Sequence, residues 1–159
     1  MKKITFILLA LISGTAFAQN TAEQTAETFA EIVEPLKIEQ SRNLNFGRII
    51  GGSAGGGTVS IASDDTGART IDDDLKAPGG TISSAKFTIT ASGYSYTISM
   101  EDDDLTSDGL TTMTFVPKNN LGEDSSGDQT LYVGGDLTVG TNQESGNYTG
   151  TVKVTVSYE

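Results

Sequence analysis

The side chains best equipped for chemistry in this chain are its carboxylates. Asp72-Asp73-Asp74 and Glu101-Asp102-Asp103-Asp104 are consecutive acidic runs, and Asp108 follows the second. Calcium takes oxygen ligands of this kind, so Asp102, Asp103, Asp104 and Asp108 are weak calcium candidates. Their spacing is not that of a helix–loop–helix calcium site, which places ligands at alternate positions around a fixed glycine. Neighbouring carboxylates on a strand point to opposite faces. Only a loop lets them converge, and a solvated, solubilising loop is the simpler reading. The same groups would act as acid and base of a glycosidase only across a rigid aromatic-lined cleft. The chain has no Trp, and its Tyr and Phe residues fall mostly at strand-face positions.

Other chemistry is narrowed by what the chain lacks. There is no Cys and no His. That removes disulfides, thiolate and imidazole metal ligands, thiol nucleophiles and His-based triads. Ser and Thr are abundant but have no His to activate them. Gly51-Gly52-Ser53-Ala54-Gly55-Gly56-Gly57 is rich in glycine, yet it lacks the Lys-Ser/Thr of a phosphate loop and precedes a strand pattern rather than a helix. It reads as an inter-strand loop. Asn147-Tyr148-Thr149 fits an N-glycosylation acceptor pattern, with no modification expected in a chain whose leader looks bacterial. No catalytic residue, cofactor or metal site is expected. With 10 Lys/Arg against 21 Asp/Glu, the net charge of −11 argues against nucleic acid as a partner.

The start of the chain reads as an address. Lys2 and Lys3 precede an apolar run from Ile4 to Ile12, and Ala16-Phe17-Ala18 supplies a small-x-small cleavage pattern. The run is far shorter than the ~20 residues that span a bilayer. Residues 1–18 are therefore expected to be a signal peptide, with Gln19 as the mature N-terminus. Losing Lys2 and Lys3 leaves eight cations against 21 carboxylates, a net −13. No later segment is apolar enough to be a transmembrane helix, so the protein is expected to be exported to periplasm, cell surface or medium.

Beyond the leader, apolar residues recur with period two, the mark of strands with one buried face. Val59 and Ile61 alternate with Ser60. Ala85, Phe87, Ile89 and Ala91 form one face of the next run, and Tyr94, Tyr96, Ile98 and Met100 form another. Met113 with Phe115, Leu131 with Val133, and Leu137 with Val139 follow. The cleanest run is the last, where Val152, Val154, Val156 and Tyr158 alternate with Lys153, Thr155 and Ser157. Pro78-Gly79-Gly80, Ser92-Gly93, Pro117-Lys118-Asn119-Asn120 and Ser125-Ser126-Gly127-Asp128 read as turns and loops, and Gly134-Gly135 as a bulge or bend. Short strands with such spacing predict an all-β sandwich or barrel. Residues 22–33 can be read as a helix by their Ala and Glu content, but the favoured reading is an extended arm over 19–30, ahead of a first strand near 31–40 and a domain covering 31–159. Leu44 and Phe46 read as a short continuation of that strand.

Three segments carry a family resemblance: Leu44-Asn45-Phe46-Gly47-Arg48-Ile49, Leu131 to Gly140, and Gly146 to Tyr158. Together they resemble the DUF4402 family, exported bacterial β-sandwich proteins of uncharacterised function. The last segment also resembles the final strand of fimbrial subunits. That resemblance implies an immunoglobulin-like, pilin-like sandwich of about seven to nine antiparallel strands. It also implies self-association by β-strand addition, with a periplasmic chaperone and usher as partners. The arm would then be the donor, anchored by Thr25, Phe29 and Val33 or by the alternate face Ala26, Thr28 and Ala30. Val152, Val154, Val156 and Tyr158 would border the accepting groove. The function implied is that of a non-catalytic structural or adhesive surface protein. The alternative is a self-complete secreted module that binds glycan or calcium.

Overall fold

Runs that alternate apolar and polar residues become strands here because the pleat sends successive side chains to opposite faces. The computed structural model describes residues 21–51, 55–72, 74–108 and 111–159. The leader at 1–18, with Gln19, lies outside the described residues, as do 52–54 of the glycine-rich loop and Asp73 of the first acidic run. The chain divides after Glu31. Residues 21–31 carry no helix or strand, and their side chains are exposed. Residues 32–159 hold every strand among the described residues.

Fourteen strands occur among the described residues. The first half holds β1 (Lys37–Arg42), β2 (Arg48–Ile50), β3 (Gly57–Ile61), β4 (Arg69–Ile71), β5 (Lys76–Gly79), β6 (Ala85–Thr90) and β7 (Ser95–Asp102). The second half holds β8 (Leu105–Ser107), β9 (Thr112–Met113), β10 (Phe115–Asn119), β11 (Asp124–Ser126), β12 (Gln129–Val139), β13 (Tyr148–Thr149) and β14 (Val152–Tyr158). All pairings are antiparallel. They form a six-stranded sheet around β12, the sheet β11-β7-β14, the sheet β13-β8-β9 and the pair β2-β5. The protein is all-β, built from several antiparallel sheets.

The long strand β12 organises the large sheet. Val133 pairs with Ala85 of β6 and Asn119 of β10, whereas Gly135 pairs with Ile61 of β3 and Pro117 of β10. A strand residue has two sides, so β6 and β3 share one side of β12, end to end, and β10 runs along the other. The expected bulge at Gly134-Gly135 is instead an unbroken stretch of strand, where β12 changes partner from β6 to β3. A Cβ on Gly134 would strike the Ile61 carbonyl oxygen, and one on Gly135, at φ +146°, would strike that of Val116. Glycine is there because neighbouring backbones press on both residues.

Two further expectations are corrected. Pro117-Lys118-Asn119 and Ser125-Ser126 were expected as loop, but they lie in β10 and β11. Pro117 is tolerated because β10 pairs with β12 alone, leaving its other edge without need of a donor. The first strand begins at Lys37, not near 31, and Phe46 follows an isolated bridge between Asn45 and Ser83.

Two apolar clusters form the core. One joins Val59, Ile61, Leu137 and Val139 of the large sheet to Phe46, Leu75, Met113 and Phe115. Phe46 and Phe115 meet edge to face, with centroids 5.7 Å apart, worth about 1 kcal/mol beyond their burial. The other joins Phe87, Ile89, Leu131 and Val133 to Tyr96 and Ile98 of β7. Here two sheets pack face to face.

Candidate functional site

The last strand is where alternation and burial part company. Val152, Val154, Val156 and Tyr158 all turn toward the core, yet each is only half buried. The matching positions of β12, Leu131 and Val133, are fully buried. The difference is position: among the described residues β14 pairs with β7 alone, and its other side has no strand partner. β1 likewise pairs with β6 alone, and Leu36 and Ile38 beside it are half buried on the same core cluster.

These two strand edges flank one side of the same core cluster, where their side chains stay half buried, and this side is the slot. At one end the Tyr158 hydroxyl donates to the Glu34 carbonyl at 3.0 Å. At the other, Leu44 and Val152 pack against both core clusters. A cleft of about 1460 Å³ lies there, between residues 43–51 and 142–152. Phe46, Leu105, Phe115 and Val139 are among the side chains that line it. β2 and β13 belong to its sides, and each has a single strand partner.

Both sides of the cleft are pinned by polar side chains. Arg69 donates to the carbonyls of Phe46 at 2.7 Å, Arg48 at 3.1 Å and Ala77 at 3.2 Å. Arg42 donates to the Ser84 carbonyl and hydroxyl, both at 2.9 Å, and pairs with Asp65. Gly47, at φ +75°, turns the chain so that its N–H reaches Asn45 Oδ1 at 2.8 Å. On the opposite side the Tyr148 hydroxyl donates to the Glu144 carbonyl at 2.8 Å and accepts from Gln143 Nε2 at 2.8 Å. Thr111 Oγ1 lies 2.7 Å from it. Hydrogen bonds from Gln143, and then Thr111, hold the Tyr148 phenol below its ordinary pKa.

The remaining sequence candidates lie apart from the slot or on its flank. Asp102 ends β7 opposite Val152, Asp103 and Asp104 occupy the exposed turn before β8, and Asp108 follows β8. Asp103 accepts a hydrogen bond from Thr151 at 2.6 Å. No group of three or more metal-ligating side chains converges among the described residues. Asp72 caps the Thr58 N–H at 2.6 Å. Thr25 and Phe29 are exposed, Phe29 at 85%, and Val33 at 40%. Asn147 is exposed on the rim of the cleft. Sequence reasoning overlooked Arg69 and the Tyr148 network. Tyr148 was visible only as part of the final strand-like segment and of the Asn147-Tyr148-Thr149 acceptor pattern, and Arg69 carried no signal.

The lining of these edges, among the described residues, is mostly aliphatic. It offers apolar surface between two strand edges, which suits an extended chain adding as a strand. Fold and site thus define an all-β domain with an unfilled edge. The family described as Domain of unknown function (DUF4402) matches residues 36–158, and the chain belongs to it. No curated protein and no solved structure matches. No helix among the described residues is long and apolar enough to cross a membrane.

Proposed function

We propose that this is an exported, non-catalytic structural or adhesive protein of the cell surface, a fimbria- or pilus-like subunit that assembles by β-strand addition. The observation that carries the reading is the open edge: the half-exposed row Val152, Val154, Val156 and Tyr158 on a strand with one partner. Strand edges with apolar surface between them are aggregation hazards unless covered. Strand addition turns that hazard into a joint, through main-chain hydrogen bonds and side-chain pockets. Two sheets sharing one core support an immunoglobulin-like sandwich. So does Tyr148, whose hydroxyl reaches back to the backbone four residues upstream, as in the tyrosine corner of such folds. The leader at 1–18 supports export. A subunit with such an edge needs temporary cover before assembly, which is work for a periplasmic chaperone and usher.

A second reading is a self-complete secreted module that binds glycan. It draws on the cleft rim, where Asn43, Asn45, Asn142 and Asn147 supply amide groups. Electron microscopy and native size analysis of the full chain, recovered from an exporting host, separate the two. Strand addition expects rods or a ladder of oligomers that survives dilution. A single monomeric species at every concentration would contradict it.

A further inference from the structure

The cleft between residues 43–51 and 142–152 is where one core cluster is left uncovered. Leu44, Ile49, Leu105, Tyr148 and Val152 are the partly buried apolar residues packed on that cluster, and all five line the cleft. Ile50 lines it too and is 55% exposed. Much of the polar lining is already spent. The Tyr148 hydroxyl has Gln143, Thr111 and the Glu144 carbonyl as partners. Gln143 also donates to the Thr112 carbonyl and accepts from the Gly140 N–H. Asn45 Oδ1 is held by the Gly47 N–H, and Thr151 Oγ1 by Asp103. A saccharide needs donors and acceptors to spare, whereas this cleft has mainly apolar surface left to offer.

Going beyond the strand-addition reading, which concerns the main chain of β14, we infer that the cleft binds a free long-chain fatty acid. The acyl chain lies on the apolar lining and the carboxylate sits at Arg48. Among the described residues two charged side chains line the cleft, Arg48 on one side and Glu144 on the other. Arg48 has no ion-pair partner among the described residues. Glu144 repels a carboxylate on its own side, so the head is directed to the side formed by 43–51. The cleft, at about 1460 Å³, exceeds the ~300–1,000 Å³ usual for small-molecule sites. That leaves room for a long flexible chain. Removal of methylenes from water drives the binding, and the carboxylate sets the direction of entry.

Equilibrium binding of laurate, myristate and palmitate to the purified full chain tests this, each ligand kept below its micelle-forming concentration. Each step adds two methylenes, and affinity is expected to rise about fifteenfold per step. Ile50→Glu, at an exposed position, is expected to weaken palmitate roughly fivefold or more. Arg48→Gln is expected to weaken palmitate about threefold and to leave hexadecanol unchanged, because the alcohol carries no charge for Arg48 to meet. Affinity that ignores chain length would overturn the apolar seat. Palmitate binding untouched by both substitutions would overturn the cleft as the site. Equal losses of palmitate and hexadecanol with Arg48→Gln would overturn the place of the carboxylate. Binding to vesicles of an anionic phospholipid, with none to monomeric palmitate, would overturn the free ligand. None of these outcomes depends on whether the chain assembles, so strand addition stands or falls separately.

Discussion

Tyr96 is the residue whose chemistry is least matched to its surroundings. It is fully buried between the sheets, and its hydroxyl has no hydrogen-bond partner among the described residues. A buried hydroxyl left unpaired forfeits its hydration without return. Tyr96→Phe keeps the ring and removes the orphan, so denaturant unfolding is expected to show a gain of about 1 kcal/mol. A loss of that size would mean the hydroxyl is bonded. The contrast with Tyr158 and Tyr148 is instructive. Both rest on backbone carbonyls at the two ends of the last strands, and both help to frame the slot. In the sequence all three are aromatic positions in strand-like runs. Which hydroxyl finds a carbonyl depends on the loop packed above it, and periodicity carries no trace of that.

Among the elements, β2 depends most on a single distant side chain. It is three residues long and pairs only with β5. Arg69 binds carbonyls before it, within it and in β5. Hydrogen bonds to a charged group are stronger than neutral ones. Arg69→Ala is therefore expected to cost about 2 kcal/mol in unfolding and to speed amide exchange across 46–50. Unchanged exchange there would show that the side of the cleft holds itself. Alternation alone reveals β6, β7, β12 and β14, because each buries one face over at least six residues. The strands β2, β4, β5, β8, β9, β11 and β13 have two to four residues each, too few for a period to register. Pro117 misled because a proline in a central strand is excluded, whereas on an edge it is allowed. The slot itself was half legible. The inward row of β14 follows from its period, but that β14 lies at an edge follows only from where its partners end.

At the scale of the molecule, the acidic surface and the open edge belong together. A chain of net charge −11 repels its copies over most of its surface. Strand addition at the β14 edge, as proposed above, has to act against that repulsion through main-chain hydrogen bonds and apolar contact. A strand given by one copy to the edge of the next, as proposed above, would be a directional contact, and one that does not close on itself builds filaments. The most direct check is amide hydrogen exchange along Val152–Tyr158, in the assembled full chain and in the same chain held monomeric by dilution. The amides of β14 that do not bond to β7 should exchange at least tenfold more slowly once an added strand accepts them. Equal exchange in the two preparations would mean that no strand adds at this edge, and the account of the protein as a strand-joined subunit would fail.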